Sequence, residues 1–515
     1  MDMNNIILAL PVLLPILGGS SLLFSERRLR GKVRDISLEF FVGGLVLLNS
    51  LLVAGILLGQ RAGGDGLVLF RLFSNLTVQF RIDRMGSVFA GLIAFLWPLA
   101  TLYSFEYMKE EKRKATFFAY YVMTYGVTVG IAFAGNLTTL YLFYEMLTLV
   151  TFPLVLFPLS KEAMRASRTY LYFSIGGAAF AFIGLVFVLS FSATGNTAFR
   201  PGGVLDPKLA AESRNLLLFI YVLAFFGFGV KAALFPCHAW LPKATVAPTP
   251  VTALLHAVAV VKSGAFAILR FTYFSFGTEF LRGSWAQWLV MGAALFTILF
   301  GSTMAVREVH WKRRLAYSTI SNLSYILFGA ALMTPLGMAA ALSHLTAHAF
   351  MKICSFFCAG AVMHQTGKTY IYQLDGLGKR MPVTFGCLTV ASLSLMGIPL
   401  FAGFISKWNL CRAAFSLGGS GAVSGIGAWL PCAGVVVILY SALMTGIYML
   451  SVLVRAYFPG RGTGVLSAAS GEAAVTDPGW KMLVPLVIFA AVILLIGLHS
   501  GPLMAFLTEI GGEAG

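Results

Sequence analysis

Charge is scarce in this chain, and negative charge is scarcest. Charged residues fill 11% of 515 positions, with 20 acids against 37 bases. Histidine occurs seven times and cysteine six. No CxxC pair is present, which removes the usual thiol-redox and zinc-ribbon signatures. The six cysteines lie in or beside apolar segments, and Cys354 and Cys358 are four apart on a helix-like run. Small buried thiols are the plain reading, ahead of metal ligands or disulfides. Phosphate-binding glycine loops, haem motifs and iron–sulfur spacings are missing too. No cofactor is therefore expected in this chain.

What is present is apolar. The chain is 58% hydrophobic and 14% aromatic, with a mean hydropathy of +0.85. Runs of about 20 such residues are long enough to cross a bilayer. Fourteen candidate spans run from 4–24 to 481–508. They predict an all-α polytopic membrane protein. The first, NIILALPVLLPILGGSSLLF, has no basic leader and no small-residue cleavage site, and is expected to stay as a helix.

The net charge of +17 would suit nucleic acid, but its distribution argues for a lipid bilayer instead. Alternate loops carry 21 of the bases, including Arg27, Arg28, Arg30, Lys109, Arg113, Lys161, Lys243, Arg313, Lys368 and Arg461. The opposite loops carry eight: Arg61, Arg71, Arg81, Arg84, Arg200, Lys208, Arg214 and Arg282. Basic loops stay in the cytoplasm during insertion. A prokaryotic cell membrane with both termini outside is the expected placement.

Two spans read as broken. Pro236 and Pro242 interrupt 215–240, and Gly397, Pro399 and Gly403 interrupt 383–417. Broken helices about five spans apart point to a transporter built from inverted repeats. Residues 116–276 and 285–457 would be the two five-helix repeats. Three helices in 1–115 precede them, and one helix in 481–515 follows.

Ionisable side chains inside such spans are costly, so each is a functional candidate. Glu145 stands alone in LTTLYLFYEMLTLVTFPLVLF. Lys231 precedes the break at Pro236, too deep for its ammonium to reach the interface. The two would tune one another if packed together. His256 and Lys262 share a span, about 120° apart on an uninterrupted helix. His344, His348 and Lys352 recur at i, i+4 and i+8, one stripe of a helix. Imidazoles exchange protons with water near neutrality. A zinc pair is the rival reading there, but no acidic third ligand follows. Polar helix packing is the plain alternative for all three. Lys407 follows the glycine-rich break of GIPLFAGFISKW, where an exit gate would lie. Arg412 and Arg455 read as structural, and Arg270 fits either class. The pattern spreads charge across many helices, whereas a stand-alone solute transporter would gather polar groups around one midplane pocket.

The segment KAALFPCHAWLPKATVAPTPVTALLHAVAVVKSGAFAILR resembles the signature of antiporter-like subunits of respiratory complex I, Mrp-type cation/proton antiporters and membrane-bound energy-converting hydrogenases. YLFYEMLTLVTFPLV, SHLTAHAFMKICSFFCAGAVMHQTG, MGIPLFAGFISKW and FRIDRMGSVFAGLI extend the resemblance over about 80–505. It implies fourteen helices in two inverted five-helix repeats and a charged axis along the membrane centre. It assigns Glu145 as the paired glutamate, Lys231 as its partner, Lys262 as the central lysine and Lys407 as the terminal one. It implies a proton-translocating subunit of a redox-driven complex with other membrane subunits as partners. A Mrp-type Na+/H+ antiporter subunit is the alternative. Lysines repel Na+ and one carboxylate offers it few oxygens, so H+ is the expected ion, with Na+ left open through a neighbouring protein of the complex. Any electron carriers would lie in other subunits.

Overall fold

The structure, a computed structural model, describes residues 7–25, 32–59, 66–73, 76–419, 425–458 and 475–514. Arg27, Arg28, Arg30, Arg61 and Arg461 lie outside the described residues. Helix dominates, because apolar segments away from water must satisfy their own backbone. In chain order the long helices are α1 (Leu10–Ser25), α2 (Lys32–Gly59), α3 (Arg84–Tyr107), α4 (Lys114–Ala132), α5 (Leu137–Leu156), α6 (Lys161–Ser190) and α7 (Arg214–Gly229). They continue as α8 (Thr249–Ala257), α9 (Val260–Arg270), α10 (Trp285–Arg307), α11 (Trp311–Ala331), α12 (Pro335–Thr366), α13 (Pro382–Met396) and α14 (Ala402–Gly418). The last are α15 (Ile426–Tyr457), α16 (Trp480–Leu498) and α17 (Gly501–Ala514).

Among the described residues these make fourteen crossings. Eleven are long and apolar enough to cross on their own. α11 is less apolar, since Ser318, Thr319, Ser321, Asn322 and Ser324 lie along it. The other two crossings are broken. Local side chains set the helix starts: Asn136, Ser160, Ser284 and Thr334 each accept a hydrogen bond from a first-turn N–H of α5, α6, α10 and α12.

Both expected breaks occur. α7 stops at Gly229, and a turn leads into the short helix Trp240–Lys243. The Trp240 Nε1–H donates to the freed Val230 carbonyl at 2.8 Å. α13 stops at Gly397, which takes the left-handed φ of 90° that glycine tolerates best. A third interruption adds to the two expected breaks. Between α8 and α9, Val258 (φ −131°) and Ala259 (φ −84°, ψ −83°) leave helical geometry. Both their N–H groups crowd onto the Leu254 carbonyl, at 3.0 and 2.8 Å. Neither residue is proline or glycine, so nothing in the sequence marks it. After α9 the chain widens into a π-helical turn, Phe271–Phe276.

Apart from these breaks, the described membrane part is helical. The one sheet among the described residues is a hairpin of β1 (Leu67–Phe73) and β2 (Leu76–Phe80), paired antiparallel from Leu67–Phe80 to Phe73–Leu76. It lies on the face opposite the loops that carry Lys109, Arg113, Arg313 and Lys368, called here the basic face.

α12 is the centre of the molecule. It packs against α8, α11, α13, α14, α16 and α17, and its residues from Gly337 to Val362 are all buried. Peripheral helices show the reverse. On α15, Val436, Leu439, Leu443, Ile447, Leu450 and Val454 are exposed at three- to four-residue intervals. An apolar stripe facing outward suits hydrocarbon rather than water.

Candidate functional site

The buried ionisable groups converge on α12 and the two broken crossings. Lys231 sits in the break after α7 rather than on a helix, and is fully buried. Its ammonium donates to the Tyr144 carbonyl and lies 3.5 Å from the centroid of the Tyr144 ring. A ring face attracts a cation, most strongly when water is excluded. The next residue is Glu145, half-buried, with Oε1 enclosed and without a hydrogen-bond partner. Glu145 and Lys231 lie within range of each other's charge. Tyr144, not the carboxylate, holds the ammonium. Tyr144 was missed in the sequence, where an aromatic in an apolar span carries no signal.

α9 meets this break without a spacer. A Cβ at Gly264 would stand 2.6 Å from the Ala232 nitrogen and 3.0 Å from the Lys231 Cβ. Glycine at 264 thus lets the helix that carries Lys262 rest on the backbone of Lys231.

From Lys262 the contacts are direct. Its Nζ lies 2.8 Å from His348 Nδ1. The His348 and His344 rings stack on α12, with centroids 5.9 Å apart and planes 25° apart. His344 Nδ1 lies 2.9 Å from Ser406 Oγ, the residue before Lys407. Lys407 donates to the Leu395 and Met396 carbonyls at 2.6 and 3.1 Å. Those carbonyls end α13 and carry the negative pole of its dipole. The Tyr325 ring bridges the two sides, edge-on to His344 at 5.0 Å and facing Lys407 at 5.6 Å.

Two expected members stand apart. Lys352 lies on the α12 stripe, but its ammonium turns to α11 and donates to Ser318 Oγ at 2.6 Å and the Leu315 carbonyl at 3.2 Å. His256 packs on Phe356, centroids 4.7 Å apart, and neither ring nitrogen has a partner. The interruption at Val258–Ala259 separates it from Lys262, so the 120° relation expected of one continuous helix does not apply. Ser406, Ser318 and Tyr325 were missed. The unusually polar run STISNLSY in α11 was the available signal for the last two.

Arg270 is structural. It is fully buried, and its Nη2 donates to Asp83 Oδ1 at 2.5 Å while Nη1 pairs with Oδ2. Asp83 also caps α3 through the Gly86 N–H. Partial burial pushes the Asp83 carboxyl up, but the Arg270 guanidinium and its hydrogen bonds outweigh this and hold it below the usual carboxylate range. No group of three or more His, Cys, Asp or Glu able to hold a metal occurs among the described residues.

A file of lysines and histidines through the core of a fourteen-crossing bundle defines an antiporter-like membrane subunit. The comparisons place it. Residues 134–428 match the family described as NADH:quinone oxidoreductase/Mrp antiporter, TM, and 73–118 match the complex I chain 5 N-terminus. The chain belongs to this antiporter-like family. It is 31% identical to NADH-quinone oxidoreductase subunit N of Desulforudis audaxviator, over 82% of each chain. It is 33% identical to a subunit of the probable K(+)/H(+) antiporter of Rhizobium meliloti, over 78% of this chain but only 39% of that longer protein. In fold it matches a chain of the archaeal membrane-bound sulfane sulfur reductase, with a TM-score of 0.81 at 23% identity, covering 99% of this chain and 97% of the other.

Proposed function

We propose that this chain translocates protons as one subunit of a multisubunit, redox-driven ion pump of the complex I or energy-converting hydrogenase type. The observation that carries the reading is the contact file Lys262–His348–His344–Ser406–Lys407, with Glu145 and Lys231 at its entrance. Opposite charges favour each other's ionised form. Drawing Glu145 away from Lys231 therefore releases the Lys231 proton toward Lys262. The proton then passes through His348 and His344 to Lys407, beside the glycine break. Several buried polar atoms along the way have no protein partner: Glu145 Oε1, Ser263 Oγ, His348 Nε2, His344 Nε2, Tyr325 Oη and Asn322 Oδ1. Groups of this kind hold water in protein interiors, and water completes a proton path.

The two five-helix groups, 116–276 and 285–457, act in this reading as inverted repeats. In support, the expected breaks fall on the fourth crossing of each. The basic face is the cytoplasmic face of a prokaryotic cell membrane, and both termini are outside. Other membrane subunits cover the half-open Glu145, and redox centres belong to those partners. The similarity to part of a K(+)/H(+) antiporter supports a second reading, a Mrp-type antiporter subunit. The proteins that co-purify with the chain separate the two.

The test uses inverted membrane vesicles that contain the assembled complex and a pH-sensitive dye. Lys262→Ala and Glu145→Gln are expected to drop driven proton transport to background with assembly intact on a native gel. Wild-type rates in both variants would refute the reading.

A further inference from the structure

The turn of Lys352 away from the histidine file leads somewhere specific. Ser318 Oγ, which accepts from Lys352, also lies 2.5 Å from Tyr448 Oη on α15. Tyr448 Oη is in turn 3.2 Å from Thr445 Oγ1. Lys352, Ser318, Tyr448 and Thr445 are all buried. α11 starts and α15 ends at the basic face, so Ser318 and Tyr448 lie on the basic-face half of their helices, while Thr445 sits one turn of α15 deeper. One helical turn nearer the face, Arg314 occupies the same side of α11 as Ser318. Its guanidinium ties together the ends of α10, α11 and α15. Nε donates to the Glu308 carbonyl at 2.8 Å, Nη1 to the Tyr448 carbonyl and Ser451 Oγ at 2.8 and 2.7 Å, and Nη2 to the Val306 carbonyl at 3.3 Å. None of these four acceptors is a carboxylate. The neighbouring Glu308 side chain pairs with Arg313 instead, at 3.4 Å. Arg314 thus presents a buried positive charge, only 4% exposed, with no negative partner in contact among the described residues.

We propose that Lys352, Ser318 and Tyr448 form a side branch of the charged axis, sealed from the cytoplasm by Arg314. A guanidinium does not give up its proton at physiological pH and so relays nothing. It repels an incoming proton, as fixed arginines do in pores that exclude cations. Lys352 then holds a proton off the through path without opening the second half of the chain to the cytoplasm. This rests on the proton-transport reading above.

The experiment measures passive proton leak in vesicles containing the whole complex, with no driving reaction, beside driven transport by the wild type. Arg314→Gln is expected to raise leak about tenfold. Adding Ser318→Ala to it should return the leak toward wild type. A purely structural arginine would give no leak that depends on Ser318. Should Arg314→Gln fail to assemble, Ser318→Cys in the otherwise unaltered chain reports the seal. A cationic, membrane-impermeant thiol reagent added from the cytoplasmic side should not label it above the background of the natural cysteines. Labelling above that background, or an assembled Arg314→Gln with wild-type leak, overturns the seal. Absence of driven transport in the wild type overturns instead the reading on which the seal rests.

Discussion

Gly397 and Lys407 share one space. A Cβ on Gly397 would stand 3.1 Å from Lys407 Cδ and 3.5 Å from its Nζ. The glycine therefore does two things: it turns the chain at φ 90° and leaves room for the lysine stem to fold back onto the end of α13.

Gly397→Ala is expected to lose roughly 1–3 kcal/mol of stability, from the left-handed backbone and the crowded stem. It should also slow proton transport by displacing the Lys407 ammonium from the Leu395 carbonyl. Thermal unfolding in detergent and dye-based transport check the two effects. Wild-type stability would show that the two residues do not compete for the space.

Tyr144 supplies both a carbonyl and a ring face to Lys231. Tyr144→Phe keeps both, losing only a 3.3 Å hydrogen bond to the Phe228 carbonyl, and should transport at close to the normal rate. Tyr144→Leu loses the ring, an interaction of about 0.5–2 kcal/mol, and should slow transport by roughly 2- to 30-fold. Equal rates for the two variants would show that the ring contributes nothing.

The histidines divide by contact. His348 touches Lys262, whereas His256 packs on Phe356. His348→Ala should therefore lower transport at least about tenfold more than His256→Ala, since it removes a proton-transfer group from the file. A larger loss with His256→Ala would move the path to α8.

The Arg270–Asp83 pair predicts an acid limb of stability. The Asp83 carboxyl is depressed in the folded chain, so its contribution is complete above the ordinary carboxylate value of 3.8 and is lost as pH falls through the lower folded value. Asp83→Asn should flatten that limb. At neutral pH it should cost roughly 1–3 kcal/mol, less than for a fully buried pair because the Asp83 side chain is 32% exposed. Unfolding midpoints followed from pH 7 downward, at about one-unit steps, check this. A parallel acid limb in the variant would count against it.

Much of this architecture was legible in the sequence because membrane insertion reads composition. Span number, the break at Gly397 and the pairing of α5 with the α7 break all follow from apolar runs, helix breakers and isolated charges. The interruption at Val258–Ala259 was not legible. It arises where two N–H groups compete for one carbonyl, with no glycine or proline to mark it. The hairpin Leu67–Phe80 was not anticipated either, since its residues form too short a segment to stand out beside the spans.

By itself the sequence determined which side chains are titratable and that the bilayer would enclose them, because burying charge in hydrocarbon is too costly to arise by chance. Only the tertiary structure decided where each one points. Lysine stems are long and flexible, so the same helical stripe sends His348 toward Lys262 and Lys352 toward Ser318. Partners brought from distant helices settle that choice, and spacing along one helix cannot.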